Sequence, residues 1–360
     1  MKIAVAMSGG IDSSMAAVLL LEAGHEIIGI TAILSDGLVR RHYGQHAEPD
    51  HAGAARQIAD RYSFPLHVLD LEDAFGSLVV APFCSEYLKG RTPNPCIRCN
   101  PLIKFGRMLE YAQSLGCEKI ATGHYSLIKT AETGRLYVAR GAEIEKDQSY
   151  FLYMLSQESL AATLFPLGMY TKQQVRAMAE NRGLAAANRP ESQEICFIPD
   201  NRYPEFIERE AGAGACPGDI VDPDGAVIGR HRGIHRYTIG QRRGLGIAAP
   251  RPLYVLSIDA ANNRIVAGFQ EELETTALIA GDIHYMKETD LAGRGVLVKT
   301  RSTQSPVAAR LSEQDEGLLV VFSEPQIGIS PGQAAVFYND SMEVLGGGTI
   351  EQAMRKRTPD

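Results

Sequence analysis

Residues Ser8-Gly9-Gly10-Ile11-Asp12-Ser13-Ser14 follow an apolar run, Ile3 to Met7, and open an amphipathic stretch, Ser13 to Ala23. A strand, a glycine turn and a helix start in that order predict an anion site. Paired glycines let the backbone turn tightly and approach a phosphate, and the N–H groups and positive dipole end of the helix supply the attraction. A Walker loop would need G-x-x-x-x-G-K-[ST], whose lysine is absent, and a dinucleotide fingerprint would need a third glycine where Ile11-Asp12 stands. An ordinary capped helix after a Gly-Gly turn is the plainer reading of the glycines; the strand before them and the helix after them favour the phosphate.

A second chemical segment is Gly90-Arg91-Thr92-Pro93-Asn94-Pro95-Cys96-Ile97-Arg98-Cys99-Asn100, followed by Lys104-Phe105. Its prolines predict a rigid extended loop that presents the C-x-x-C pair. A third cysteine lies in Glu191-Ser192-Gln193-Glu194-Ile195-Cys196-Phe197-Ile198-Pro199. The pair alone fits zinc, a redox couple or chance, and one pair without a second closes no zinc site. Cys84, Cys117 and Cys216 read as packed or incidental thiols, and His42, His46 and His51, which lack ligand spacing, as loop residues. Between Gly225 and Ser257 there is no Asp or Glu, yet Arg230, Arg232, Arg236, Arg242, Arg243 and Arg251 stand there with His231 and His235. Phosphate contacts are the natural use of such a stretch.

The elements that must position these groups follow from the hydrophobic pattern. From Met1 to about Ile128, apolar runs (Lys2 to Met7, Glu26 to Leu34, Leu66 to Leu71, Lys119 to Thr122) alternate with helical stretches such as Asp50 to Tyr62. That predicts an α/β fold, a parallel sheet with helices on both faces and ligands outside the carboxyl ends of the strands. A glycine-rich segment, Gly212 to Gly218, marks a boundary. Beyond about Gly281, short alternating runs (Gly295 to Thr300, Val307 to Leu311, Leu318 to Phe322, Ala334 to Tyr338), with Pro-Gly and Gly-Gly-Gly turns between them, predict a small antiparallel β-barrel. The expected domains are 1–200, 201–275 and 276–360, ending in a frayed polar tail, Arg355 to Asp360. A chain of 360 residues, 45% of them hydrophobic, can bury a large core, and its six cysteines argue for thiol chemistry or metal ligation rather than a disulfide scaffold. No run is long enough for a membrane span and the start runs straight into a strand, so a cytoplasmic protein is expected. The net charge of −7 leaves polyanion binding open if the basic residues gather on one face.

The Ser8 segment resembles the pyrophosphate loop, S-G-G-x-D-S, of ATP pyrophosphatases that adenylate a substrate oxygen. The whole chain resembles the tRNA-specific 2-thiouridylases, which replace the carbonyl oxygen of the wobble uridine by sulfur. Besides the Ser8 loop, the likeness covers Thr92 to Phe105, Ala121-Thr122-Gly123-His124-Tyr125, Lys146-Asp147-Gln148-Ser149-Tyr150-Phe151-Leu152, the Cys196 segment and Tyr237-Thr238-Ile239-Gly240-Gln241-Arg242-Arg243-Gly244-Leu245-Gly246. It implies an adenine nucleotide alpha hydrolase-like catalytic domain, a small central tRNA-binding domain and a C-terminal β-barrel. Cys99 takes the place of the family's nucleophile and Cys196 that of the persulfide carrier. ATP contacts fall on Ala6, Met7, Ser8, Gly9, Gly10, Ile11, Asp12, Ser13, Ala32 and Gly123, with Asp12 on a Mg2+ ion.

Contacts to the target uridine fall on Asn94, Pro95 and Cys96, and contacts to the rest of the tRNA on His124, Lys146, Asp147, Gln148, Arg301, Ser302 and Gln333. The family pattern around Arg301 usually continues with an aromatic residue, where this chain has Ser302. Many members carry Asp where this chain has Cys96, and a cysteine can ligate iron or join a disulfide. Cys96, Cys99 and Cys196 could thus hold three corners of a 4Fe-4S cluster and leave one iron open for sulfide. The implied partners are the tRNA anticodon stem-loop and a sulfur donor such as a cysteine desulfurase or relay protein. Two other classes compete. A small-molecule synthetase of the GMP or argininosuccinate kind needs no cysteine trio, and a tRNA-binding module without chemistry has no use for Asp12, Cys99 and Cys196.

Overall fold

The structure, a computed structural model, describes residues 1–43, 51–184, 195–212, 214, 216–315 and 317–355. Its contacts divide the chain into two units: Met1–Val79, Pro95–Pro199 and Ser341–Leu345 form one, and Val80–Asn94, Asp200–Asp340 and Gly346–Asp360 the other.

In the first unit, β1 (Lys2–Ala6) is central because both of its faces are apolar. Ile3, Ala4 and Val5 are fully buried, as a strand covered on both sides requires. It pairs in parallel with β2 (Glu26–Ile33) and β4 (Lys119–Ala121), and β3 (Leu66–Asp70) and β7 (Thr163–Leu164) flank them in the order β3-β2-β1-β4-β7. The chain runs outward through β2 and β3, then crosses to the other side of β1 for β4. The order therefore reverses between β1 and β4, and the carboxyl ends of those two strands frame the crevice where such sheets take ligands. A hairpin of β5 (Ser126–Thr130) and β6 (Leu136–Arg140) follows β4. Helix α1 (Ile11–Glu22) leaves β1 through the glycine turn. It is buried on nearly all sides rather than amphipathic, because Met15, Ala16 and Val18 share one core with Ala55 and Ile58 of the His51–Tyr62 helix and Val175 and Ala179 of the Lys172–Asn181 helix. His42 and His51 belong to the Asp36–Tyr43 and His51–Tyr62 helices, not to a loop as expected, while His46 lies outside the described residues.

In the second unit, β8 (Gly218–Val221), β9 (Val227–His231), β10 (Tyr254–Asp259) and β11 (Arg264–Gly268) form a sheet in the order β10-β11-β8-β9 over Ile220, Val255 and Ile265. A closed barrel follows, β12 (Glu274–Tyr285), β15 (Gly317–Ile327), β14 (Val307–Gln314), β13 (Gly295–Lys299), β16 (Ala334–Tyr338) and β17 (Val344–Arg355) in spatial order. The Gly-Gly-Gly run is not a turn. Gly346 and Gly348 lie inside β17, where a Cβ would come within 2.4 Å of His284 O and 2.5 Å of Gly281 O. The glycines let β17 press against an irregular stretch of β12, whose register shifts between Gly281 and His284. Arg355 likewise closes β17, opposite Thr275, instead of fraying; 356–360 lie outside the described residues.

Candidate active site

The turn after β1 leaves a helix end without a cap. Gly9 sits at φ 70°, a conformation a side chain would strain, and Gly10, the N-cap of α1, has no side chain to offer the first-turn N–H groups. The serines close the turn instead. Ser8 N donates to Ser13 Oγ at 3.1 Å, and the Ser13 and Ser14 hydroxyls donate to Gly10 O at 3.1 and 2.9 Å. The N–H groups and positive dipole end of α1 are thus left for an anion.

Across the crevice, Gly123 follows β4 and touches the start of α1. A Cβ there would lie 2.8 Å from the carbonyl carbon and Cβ of Asp12 and 2.9 Å from Ser13 N. Ala32, half-buried, pairs with Leu69 near the end of β2. Asp12 itself is held by two partners that the sequence did not assign to it. Lys172 Nζ donates to both carboxylate oxygens at 2.8 Å, and the Tyr125 hydroxyl donates to Oδ1 at 2.7 Å. Lys172 opens its helix just after Thr171, whose capping box with Gln174 fixes the start. A signal was present in the sequence: the capping box marks Lys172 as a first-turn cation, which the helix dipole disfavours unless an anion stands near.

The C-x-x-C pair lies on a short helix, Pro95–Cys99, not on the expected extended loop. Pro95 at the first helical position costs nothing, since its fixed φ suits the helix and no N–H is needed there. Pro101, deeper in, removes a donor, and the chain continues as a wider π-turn, Asn100–Arg107, that carries Lys104. All six cysteines are free thiols; Cys84 and Cys117 are packed as expected, with Cys84 pushed up to about 12 by burial, while Cys216 is exposed. Cys99 is buried, and burial pushes its thiol up, with Lys104 opposing and Cys96 adding to the rise. Cys96 and Cys196 reach solvent but are surrounded by protein, which shifts both upward, and the charges of Cys99 and Cys96 push Cys196 further. Lys104 thus opposes the rise on each of the three thiols. Lys104 also joins burial in holding His124 well below the usual histidine range, so that ring is neutral near pH 7. His124 follows Gly123, the glycine that touches the start of α1.

The residues expected to meet tRNA fall into two sets. In the first unit, His124 is buried between Phe105 and Phe165 and shares a 2.7 Å hydrogen bond with Thr122. Asp147 is buried and accepts from Ser149 N and Oγ at 3.0 and 2.9 Å, and Gln148 accepts from Tyr125 N at 2.9 Å. All three are thus engaged within the first unit, while Lys146 is exposed. In the second unit, Gln333 donates to Thr92 O at 2.7 Å, close to Asn94, and Arg301 donates to Gly328 O.

The basic stretch is more occupied than its composition suggests. Arg236 is bound at 2.9 Å to Glu205 and Glu208, His235 at 2.8 Å to Glu208, and Arg251 at 2.9 Å to Glu271, all carboxylates from outside the stretch. Buried His231 bonds Asn263 O and Gly233 N. Arg232, Arg242 and Arg243 are the exposed arginines of the stretch with no ion pair among the described residues. No helix among the described residues is long and apolar enough to cross a membrane.

Comparison with known proteins bears on what this arrangement is. Residues 1–200 match the family described as tRNA methyl transferase HUP domain, 204–268 the tRNA methyl transferase PRC-barrel domain, and 275–350 the aminomethyltransferase beta-barrel domain. The chain is 46% identical to the tRNA-specific 2-thiouridylase MnmA of Geotalea uraniireducens over 99% of its length and 96% of that protein's. It is 44% identical to the protein of the same name from Geobacter metallireducens, over 98% and 97% of the two chains. The Chloroflexus aggregans protein is 46% identical over 96% and 97%. Likeness of that degree along the full length, with the glycine turn and the cysteine segments inside it, places the chain in the tRNA-specific 2-thiouridylase family, and it is a tRNA-uridine sulfurtransferase.

Proposed function

We propose that the chain 2-thiolates the wobble uridine of tRNA in two steps, adenylation and sulfur transfer. Oxide is a poor leaving group from a urea-like carbonyl. ATP removes the difficulty: the uridine oxygen attacks the α-phosphorus, pyrophosphate leaves into the Ser8 turn, and the oxygen becomes part of an adenylate ester. Mg2+ would be held by the nucleotide phosphates with Asp12 as the carboxylate at hand, and would offset the pyrophosphate charge.

The terminal sulfur of a Cys196 persulfide then attacks the activated carbon, AMP departs with the former carbonyl oxygen, and the uridine is joined to Cys196 through a disulfide. Cys99 thiolate attacks the Cys196 sulfur, releases 2-thiouridine and leaves a Cys99–Cys196 disulfide. A thiol reductant reopens that bond, and a donor such as a cysteine desulfurase or relay protein reloads Cys196. The uridine must leave its stack, which costs little in an anticodon loop. We assign catalysis to residues 1–200, tRNA contacts to 201–275 with Arg232, Arg242 and Arg243 on phosphates, and further tRNA contacts around Arg301, Ser302 and Gln333 to 276–360. Asn94, Pro95 and Cys96 are assigned to the target base.

The observation that carries this reading is geometric: His124, next to the glycine that touches Asp12, packs against Phe105 of the turn that follows the Pro95–Cys99 helix, with ring centres 5.8 Å apart. Lys104 acts on all three thiols and on His124. The test is ATP–pyrophosphate exchange with and without tRNA. Asp12→Asn is expected to slow tRNA-dependent exchange about 100-fold while tRNA affinity stays within about twofold. Equal loss of both would remove Asp12 from the nucleotide step.

A 4Fe-4S cluster that delivers sulfide is the second reading, favoured by the mutual influence of Cys96, Cys99 and Cys196. The fit is incomplete: among the described residues no group of three or more His, Cys, Asp or Glu is arranged to hold a metal ion. The expected result is that anaerobically purified, iron-free protein thiolates tRNA from a persulfide donor, and that Cys96→Ala keeps this activity. About four irons per chain, lost together with activity in Cys96→Ala, would reverse the preference.

A further inference from the structure

The glycine turn lacks the lysine that a Walker loop carries in line, and the fold brings one to it from the far end of the unit. Lys172 is 160 residues from Asp12 in sequence, yet its ammonium bonds both Asp12 oxygens at 2.8 Å, with the side chain only 11% exposed. The cation is fixed by its setting. Its backbone N–H donates to Glu143 Oε2 at 2.8 Å, its ammonium stands 5.7 Å from the centre of the Tyr125 ring, and the same tyrosine donates to Asp12. The two helices lie side by side and parallel, since Arg182, at the other end of the lysine's helix, bonds Glu22 at the end of α1 at 2.8 Å. A cation held at the positive end of a helix opposes the dipole. Asp12 offsets part of that cost, and a polyanion at that end offsets more, because the uncapped N–H groups and the ammonium then act on the same charge.

We infer that Lys172 binds the β- and γ-phosphates of ATP at the Ser8 turn and keeps Asp12 aligned beside them. The inference rests on the nucleotide reading of the loop. It differs from a purely structural ion pair in one respect: a phosphate-binding lysine discriminates between nucleotides by the pyrophosphate group, whereas a structural lysine affects all of them alike.

Calorimetric titration of the full chain with ATP, inorganic pyrophosphate and AMP tests this on three proteins: the parent, Lys172→Met, and the double variant Asp12→Asn/Lys172→Met, which leaves no lone charge behind. The expected result is a tenfold or greater rise in the ATP and pyrophosphate dissociation constants in both variants, with AMP within about twofold of the parent. Lys172→Arg should recover part of the loss. If both variants bind ATP as the parent does, or lose ATP and AMP equally while remaining folded by circular dichroism, Lys172 is not a phosphate ligand. If the parent itself binds no ATP, the reading of the loop has failed instead.

Discussion

Cys99→Ser is expected to lower 2-thiouridine formation about a thousandfold or more in the absence of added thiol, while tRNA-dependent ATP–pyrophosphate exchange stays within about twofold of the parent. A serine hydroxyl cannot break the bond between the Cys196 sulfur and the transferred sulfur, so tRNA should accumulate as a disulfide adduct on Cys196 that dithiothreitol releases. Loss of exchange along with thiolation would place Cys99 in the first step and overturn the assignment. The electrostatics add a pH dependence. Burial raises the Cys99 thiol, and in the proposed mechanism only its thiolate attacks, so sulfur transfer is expected to speed up about tenfold per pH unit until another step limits. Lys104 opposes the rise on all three thiols. Lys104→Met should therefore move the single-turnover profile to higher pH, with a deficit at pH 7 that narrows as pH increases. A deficit independent of pH would mean that Lys104 acts by some means other than its charge on the thiols.

Four of the five strands of the parallel sheet were legible to within a residue or so because each is a short apolar run with a turn behind it: the runs starting at Lys2, Glu26, Leu66 and Lys119 are β1 to β4, whereas the two-residue β7 offers no such run. Four barrel strands were legible for the same reason. β12 and β17 were not, because glycine breaks the alternation; Gly281, Gly346 and Gly348 serve close approach between those two strands, and a single sequence shows only punctuation. Helix α1 looked amphipathic because its small residues hide how completely its neighbours cover it. The site divides along the same line. The Ser8 turn and the cysteine pair are local patterns and could be read. Lys172 on Asp12 and Glu205 and Glu208 on Arg236 are pairings across the chain, and the second shows why a stretch free of carboxylates still need not be free of counter-charges.

Gly123→Ala is the substitution expected to cost most at the Ser8 turn without removing a functional group. The added carbon would lie 2.8 Å from two carbons of Asp12 and 2.9 Å from Ser13 N, all at the start of α1, so no flexible side-chain tip can swing away. Neither partner is free to retreat. β4 is registered on β1 through Ile3↔Lys119, Ala4↔Ile120 and Val5↔Ala121, and α1 is tied to its neighbour helix at both ends, through Asp12–Lys172 and Glu22–Arg182. Overpacking of this kind costs about 1–3 kcal/mol, and because the strain falls at the start of α1, where we place the nucleotide phosphates, it is expected to appear in binding as well as in stability. Gly24→Ala is the matching control. Its strain comes only from φ +79°, with nothing within 4 Å of the new carbon, at the opposite end of α1. Both variants should unfold at lower temperature by differential scanning fluorimetry, with the Gly24 variant destabilised by about 1 kcal/mol. Only Gly123→Ala should weaken ATP binding, by tenfold or more, with tRNA affinity within about twofold of the parent. Parent-like ATP affinity in folded Gly123→Ala protein would show that the helix start at Asp12 and Ser13 does not contact the nucleotide.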